Sequence, residues 1–502
     1  MIRKILRNLT SNILVPVVKI GTTFIMAPVI VKALGNYDYG IWAIVFSVVG
    51  YMGLLDMGMQ PAIVRYVAKY HALKDNKELM NIYSTSLLFL GIIGALICIF
   101  FIGWAFIDPQ LLAGHSQDVE KYTYFLLIVG MLMINNFTGA VFDCFLQGLQ
   151  RYDIRSAVTI LNTIVGNAIA YVLLTRGGGL LTLALTNGIG FSLKSLIYWY
   201  ILARPGFGAF RFEKRNVSLK SLKELAAFAY KSLIQGISST ISLDTDSIVI
   251  GAFLGPIIVT YYVIPSNFIS QIRNLVWSLT TPFMPLFSDI DAYGDSRKTE
   301  QVFIVASRYT LGLIFPLMGG AYFLGLPFLA RWMGPQYAAN GRWVLYILLA
   351  AYMVPWINPL SNRFLTGTGY QGILAKTGLV SATLNLGLSL LLVRRMGKEG
   401  VALGTMIASI IFTPFVLKYT CRRAGIDIWH YLRSVLGPLT MPAFAFLATL
   451  WVLSARFELK NYTSIFLSAV ISVLVYAFFF AVFGIKREEQ RYIVGKIRAI
   501  FA

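Results

Sequence analysis

The sequence predicts an all-α polytopic membrane protein of about fourteen transmembrane helices. Three observations carry this. Apolar residues make up 57% of the 502 and charged ones 13%. The apolar residues fall in runs long enough to cross a bilayer as helices, and basic residues gather in alternate connections between the runs. The net charge of +21 would suit nucleic acid, yet Lys and Arg sit in short loops and form no contiguous basic domain. No nucleic-acid partner is therefore expected, and topology accounts for the charge.

In chain order, the runs give spans near 10–32, 41–66, 81–107, 122–146, 154–175 and 180–203. The remaining eight lie near 224–253, 257–287, 302–330, 343–365, 371–393, 400–420, 431–455 and 462–484. The first begins after Arg3, Lys4 and Arg7, as a signal peptide would, but it runs past Met26 to Val31 with no small-x-small cleavage site and reads as a retained span. An even count puts both termini on one side. With the amino terminus in the cytoplasm, the cytoplasmic loops and tails hold 27 Lys and Arg against 10 in the opposite loops. That bias predicts an inner (plasma) membrane protein with both termini cytoplasmic. The largest loop, Arg204–Lys223, is too short for a soluble catalytic domain.

The two halves echo one another. Leu34-Gly35 before Tyr37-Asp38-Tyr39 matches Leu254-Gly255 before Tyr261-Tyr262. Asp75-Asn76-Lys77-Glu78 matches Asp295-Ser296-Arg297-Lys298, and Arg176-Gly177-Gly178-Gly179-Leu180 matches Arg395-Met396-Gly397-Lys398-Glu399-Gly400-Val401, at separations of 219 to 221 positions. Six spans per half make the repeat parallel, its pseudo-two-fold axis along the membrane normal. The expected division is an N-lobe at 1–215, a C-lobe at 216–425, and two further helices with a cytoplasmic tail at 426–502.

The six basic residues outside that count lie inside spans: Lys19, Lys194, Lys231, Arg273, Arg308 and Lys376. A charge at membrane depth is tolerated where it faces protein or a hydrated cavity. Span seven shows the clearest pattern, with Lys231, Gln235, Ser238, Ser242 and Asp246 within roughly an 80° sector of one helix. Ser and Gln alone would read as interhelical glue; the two charges point to a cavity lining, while Asp244 faces elsewhere. Span one carries Lys19, Thr22 and Thr23. Span eight carries Asn267, Ser270, Gln271, Asn274 and Ser278 beside Arg273, and span five Thr159, Asn162, Thr163 and Asn167. Asp56 is a lone charge in span two. Asp143, Lys194 and Lys376 lie toward cytoplasmic ends, where long side chains also snorkel to the interface.

Cys98, Cys144 and Cys421 have no paired spacing, and three scattered His residues offer no metal site. The chain holds no GxxxxGK[ST], HExxH or GxSxG, so no enzymatic activity is expected, and the energy source reads as an ion gradient.

Leu34-Gly35-x4-Gly40-Ile41-Trp42, Gly53-Leu54-Leu55-Asp56-Met57-Gly58 with Arg65-Tyr66-Val67, and Asp246-Ser247-Ile248-Val249-Ile250-Gly251 through Gly255 resemble the Wzx-like polysaccharide-unit flippases of the MOP superfamily. The resemblance implies two pseudo-symmetric six-helix lobes, MATE-like, around a cavity. It also implies translocation of a polyprenyl (undecaprenyl) diphosphate-linked oligosaccharide from the cytoplasmic to the outer leaflet by alternating access, for surface polysaccharides such as O-antigen, lipopolysaccharide or exopolysaccharide. On this basis Lys19, Asp56, Lys231, Gln235, Asp246, Arg273 and Asn274 are the substrate-binding candidates. Asp244 and Asp246 are the candidates for coupling to Na⁺ or H⁺, the only cofactor expected. The expected partners are the lipid-linked substrate, membrane lipids and other polysaccharide assembly proteins. A multidrug/cation antiporter of the same superfold would favour acidic over basic stripes. A membrane glycosyltransferase or polymerase would need a larger extracytoplasmic loop than Asp108–Lys121.

Overall fold

The computed structural model describes residues 2–56, 58–108, 110 and 118–485; for 2–13, 230–232, 234, 235, 239, 242, 243 and 296 it describes the backbone alone. All regular structure among these residues is helical. By packing, the chain forms two compact units, Met1–Gly251 with Gly255–Thr260, and Ala252–Leu254 with Tyr261–Ala502. Sequence recurrence and packing thus divide the chain at different places.

The first unit holds α1 (Ile2–Met52), α2 (Met59–Ala72), α3 (Asn76–Ile107), α4 (Val119–Gly148), α5 (Tyr152–Thr175), α6 (Leu180–Leu202) and nearly all of α7 (Leu219–Leu254). Residues 14–56 would reach about 64 Å as one straight helix, twice the hydrocarbon thickness. Instead α1 breaks at Gly35, where φ 75° and ψ 173° lie outside any helix and suit a residue without a Cβ. Gly255, which ends α7, takes nearly the same conformation at φ 86° and ψ 168°. The second matched pair is also alike in detail. Asp75 accepts a hydrogen bond from the Glu78 amide at 3.0 Å, and Asp295 from the Lys298 amide at 3.0 Å. Each is an N-cap that satisfies an orphan donor of the helix that follows. Asp75→Ala and Asp295→Ala are therefore expected to lower stability by similar amounts, about 1 kcal/mol each, read as comparable falls in the thermal unfolding midpoint in detergent.

Inside this unit α3 packs on α4, α4 on α6, and α1 on α5. Small residues let the backbones approach. A Cβ on Gly94 would lie 2.8 Å from Ile134 Cα, and one on Gly148 2.6 Å from Val67 Cβ. Without a hydrophobic drive between helices in lipid, such close packing supplies the association. Tyr83, Phe145 and Phe210 meet edge to face near one end.

The second unit holds α8 (Pro256–Thr280, shared at its start with the first unit), α9 (Phe283–Ala292), α10 (Ser296–Trp332), α11 (Pro335–Trp356), α12 (Ser361–Gly367), α13 (Gln371–Ala424), α14 (Ile428–Leu436), α15 (Thr440–Arg456) and α16 (Tyr462–Phe479). One core joins Phe287, Phe303, Phe364 and Tyr431; another joins Phe446, Leu450, Ile465 and Tyr476. Two expected spans are interrupted. Span eight breaks at Pro282, and span ten bends by 44° between α11 and α12, where Pro355 and Pro359 withhold helix donors.

Exposure runs opposite to that of a water-soluble protein. Ile25, Leu391 and Leu474 are 64 to 70% exposed, whereas Ser84, Ser389, Thr420 and Ser472 are fully buried. Apolar surface of this extent belongs against lipid. Nine of the described helices are long and apolar enough to cross a membrane, ten if the bent pair counts as one. The gap from about fourteen has physical causes. Spans one and two share α1 on either side of the break at Gly35, and spans eleven and twelve share α13 on either side of a like break at Gly397. Helix α8, with Asn267, Gln271, Arg273 and Asn274, is too polar to count by apolarity.

Candidate functional site

Helices α1, α5 and α6 line an open polar cavity of about 350 Å³ within the first unit. From α1 come Lys19, Thr22 and Thr23; from α5, Thr159, Asn162, Thr163 and Asn167; from α6, Thr186, Asn187 and Lys194. The stripe on α1 and the stripe on α5, one helical face each, thus come together, and α6 completes the lining.

The wall groups are settled by their own helices. The Thr22 hydroxyl donates to the Val18 carbonyl at 2.9 Å and Thr163 to Thr159 at 2.8 Å. The Asn167 amide donates to Thr163 at 2.7 Å, and Asn187 to Leu183 at 2.9 Å. Back-bonding of this kind satisfies donors that would be costly at membrane depth. It leaves amide and hydroxyl oxygens to meet a polar guest. The two lysines are the only charged residues in the lining, and among the described residues neither makes an ion pair.

A carboxylate does stand nearby, already engaged. Asp143 accepts from Arg155 Nε at 2.8 Å and from Gln147 Nε2 at 2.8 Å. The Tyr198 hydroxyl anchors the same corner by donating to the Arg155 carbonyl at 3.0 Å. Lys194 lies 4.9 Å from the Phe191 ring centroid, within electrostatic reach of Asp143, Arg155 and Lys19. The cavity is therefore a positive chamber with neutral polar walls.

The other sequence candidates lie elsewhere. Asp56 closes the break between α1 and α2, accepting from the Gly58 amide at 2.7 Å and from Gln60 Nε2 at 2.9 Å; it does not line this cavity. Asp244 and Asp246 lie on α7 against the second half of α1, where a Cβ on Gly50 would fall 2.6 Å from Asp244 Oδ2 and Tyr51 shares a hydrogen bond with Thr245. Asp246 is 7% exposed. The side chains of Lys231, Gln235 and Ser242 lie outside the described residues. In the second unit, Arg273 donates to the Tyr352 hydroxyl at 3.0 Å with its guanidinium 5.1 Å from that ring, while Asn274 is exposed.

Two residues acquire a role that the sequence did not assign. Lys194, read as a candidate for interfacial snorkelling, lines the cavity. Arg363, near the end of expected span ten, is 9% exposed. Its guanidinium stacks 3.9 Å from the Trp277 ring centroid and donates to the Trp277 carbonyl at 3.1 Å, to Thr281 at 3.2 Å and to Thr280 at 3.3 Å. It ties the end of α8 to α12 at the two interrupted spans. The nearby Pro355 and Pro359 were the only sequence signal for it.

A family described as polysaccharide biosynthesis protein matches residues 5–291. The chain is 22% identical to the membrane protein EpsK of Bacillus subtilis (strain 168), over 98% of this chain and 97% of that one. It is 21% identical to the succinoglycan biosynthesis transport protein ExoT of Rhizobium meliloti (strain 1021), over 77% of this chain and 74% of ExoT. Among solved structures it is similar to the lipid II flippase MurJ in an inward closed conformation, with a TM-score of 0.69, 17% identity and coverage of 96% of this chain and 99% of that one.

Proposed function

Because this chain belongs to the polysaccharide biosynthesis protein family, we propose that it is a flippase for a polyprenyl (undecaprenyl) diphosphate-linked oligosaccharide, moving it from the cytoplasmic to the outer leaflet by alternating access. The observation that carries this reading is the carboxylate-free cavity holding Lys19 and Lys194 inside an apolar helical unit. A diphosphate leaving water loses its hydration at great cost. An ammonium partner in a low-dielectric site offsets much of that loss. Thr and Asn oxygens around the lysines match sugar hydroxyls, and a volume of about 350 Å³ falls within the range of small-ligand pockets. The cavity suits a headgroup, while a polyprenyl tail belongs in lipid.

The excess of basic residues in alternate loops supports an inner-membrane placement with cytoplasmic termini. Asp244 and Asp246 remain the proposed coupling groups for Na⁺ or H⁺. Depleting the protein in its source cells is expected to trap lipid-linked oligosaccharide on the cytoplasmic side of the membrane, measured by leaflet-resolved labelling. No accumulation, accompanied by sensitivity to cationic drugs, would overturn the reading in favour of an antiporter.

A further inference from the structure

In the second unit a groove of about 720 Å³ opens between the last turns of α10, the first turns of α11 and the 454–460 connection from α15 to α16. Its floor is apolar, with Phe323, Leu326 and Leu459. Its rim carries Arg342, Arg456 and Lys460. Glu458 is the only carboxylate in the lining, and it pairs with Lys460 at 2.9 Å. Among the described residues neither arginine makes an ion pair, so the rim keeps two uncompensated positive charges.

This clustering runs against the topology of the chain. The loops assigned to the outer face hold only 10 Lys and Arg, and three of them meet at this one groove. The positive-inside bias gives no reason for such a gathering. Trp343 and Trp451, 63% and 65% exposed on α11 and α15, belong to the aromatic type that settles at headgroup level. The groove therefore combines, at one bilayer boundary, an apolar trough with planar cations above it.

We propose that this groove binds an anionic phospholipid of the outer leaflet, its phosphoryl group between Arg342 and Arg456 and an acyl chain along the floor. A guanidinium is weakly hydrated and presents a fork that fits phosphate oxygens. A free inorganic anion would gain nothing from Phe323, Leu326 and Leu459, and a zwitterionic lipid would gain less from the arginines. The site shares no residue with the Lys19 cavity and does not depend on the nature of the cargo.

The test is titration of phosphatidylglycerol into the purified full-length protein in a neutral detergent, with bound lipid counted by native mass spectrometry. Arg342→Gln/Arg456→Gln is expected to bind it roughly thirtyfold more weakly than the unaltered protein, about 1 kcal/mol for each arginine at the interface. Each single variant is expected to lose about fivefold on the same basis, which keeps the reading testable should the double variant fail to fold. Lys19→Ala is expected to leave this binding unchanged. Equal binding by variant and unaltered protein, equal retention of phosphatidylcholine, or displacement by inorganic phosphate alone would each overturn the proposal.

Discussion

Lys19→Ala/Lys194→Ala is expected to lower export of lipid-linked oligosaccharide by at least about tenfold, because a hydrogen bond to a charged group is worth about 1.5–3 kcal/mol. The two lysines are the only charges lining the cavity, so their removal leaves an anionic headgroup with neutral partners alone. Lys19 is exposed and Lys194 packs beside Phe191, so neither substitution opens a cavity in a packed core. The measurement is surface glycan in complemented cells, normalised to the amount of protein inserted in the membrane. Lys19→Arg/Lys194→Arg keeps the charge and is expected to restore part of the export. Full export by the double alanine variant at normal expression would remove this cavity from the transport path.

Gly40→Ala is expected to be among the most destabilising single-methyl substitutions in the chain, at about 3 kcal/mol, the upper end of the cost of overpacking. A Cβ at residue 40 would collide with the carbonyl oxygen of Pro256. The obstacle is backbone at the start of α8, which cannot rotate away as a side chain does. The same approach is fixed a turn away by Thr260, whose hydroxyl donates to the Asn36 carbonyl at 2.6 Å. Separating the two segments would therefore also strip that bond. Gly103→Ala is the matched control, since a Cβ there meets nothing within 4 Å; it is expected to be neutral or slightly stabilising. Thermal unfolding of both variants in detergent, followed by monodispersity on size-exclusion chromatography, compares them.

Much of the fold was legible because membrane helices announce themselves by length and apolarity. Polar stripes on α1 and α5 were equally legible, since a period near 3.6 places Lys19 with Thr22 and Thr23, and Thr159 with Asn162, Thr163 and Asn167. That these two stripes face one another was not legible, because which helix packs on which is a tertiary fact. Lys194 shares a face of α6 with Asn187, seven residues earlier, a sparser signal than the stripes on α1 and α5. Asp56 has a local task that hydropathy does not register, accepting from the Gly58 amide at a backbone break, for which Asp is well suited. Arg363 lies beyond a bend that hydropathy does not register.

The bond pattern around Arg363 also has a mechanical consequence. Its guanidinium reaches three acceptors across the gap between α8 and α12, so these interrupted segments are riveted together. Swinging one without the other would leave a sequestered cation stripped of its acceptors, at a cost of several kcal/mol. Their flexibility is thus pooled, and the pair travels as a single lever.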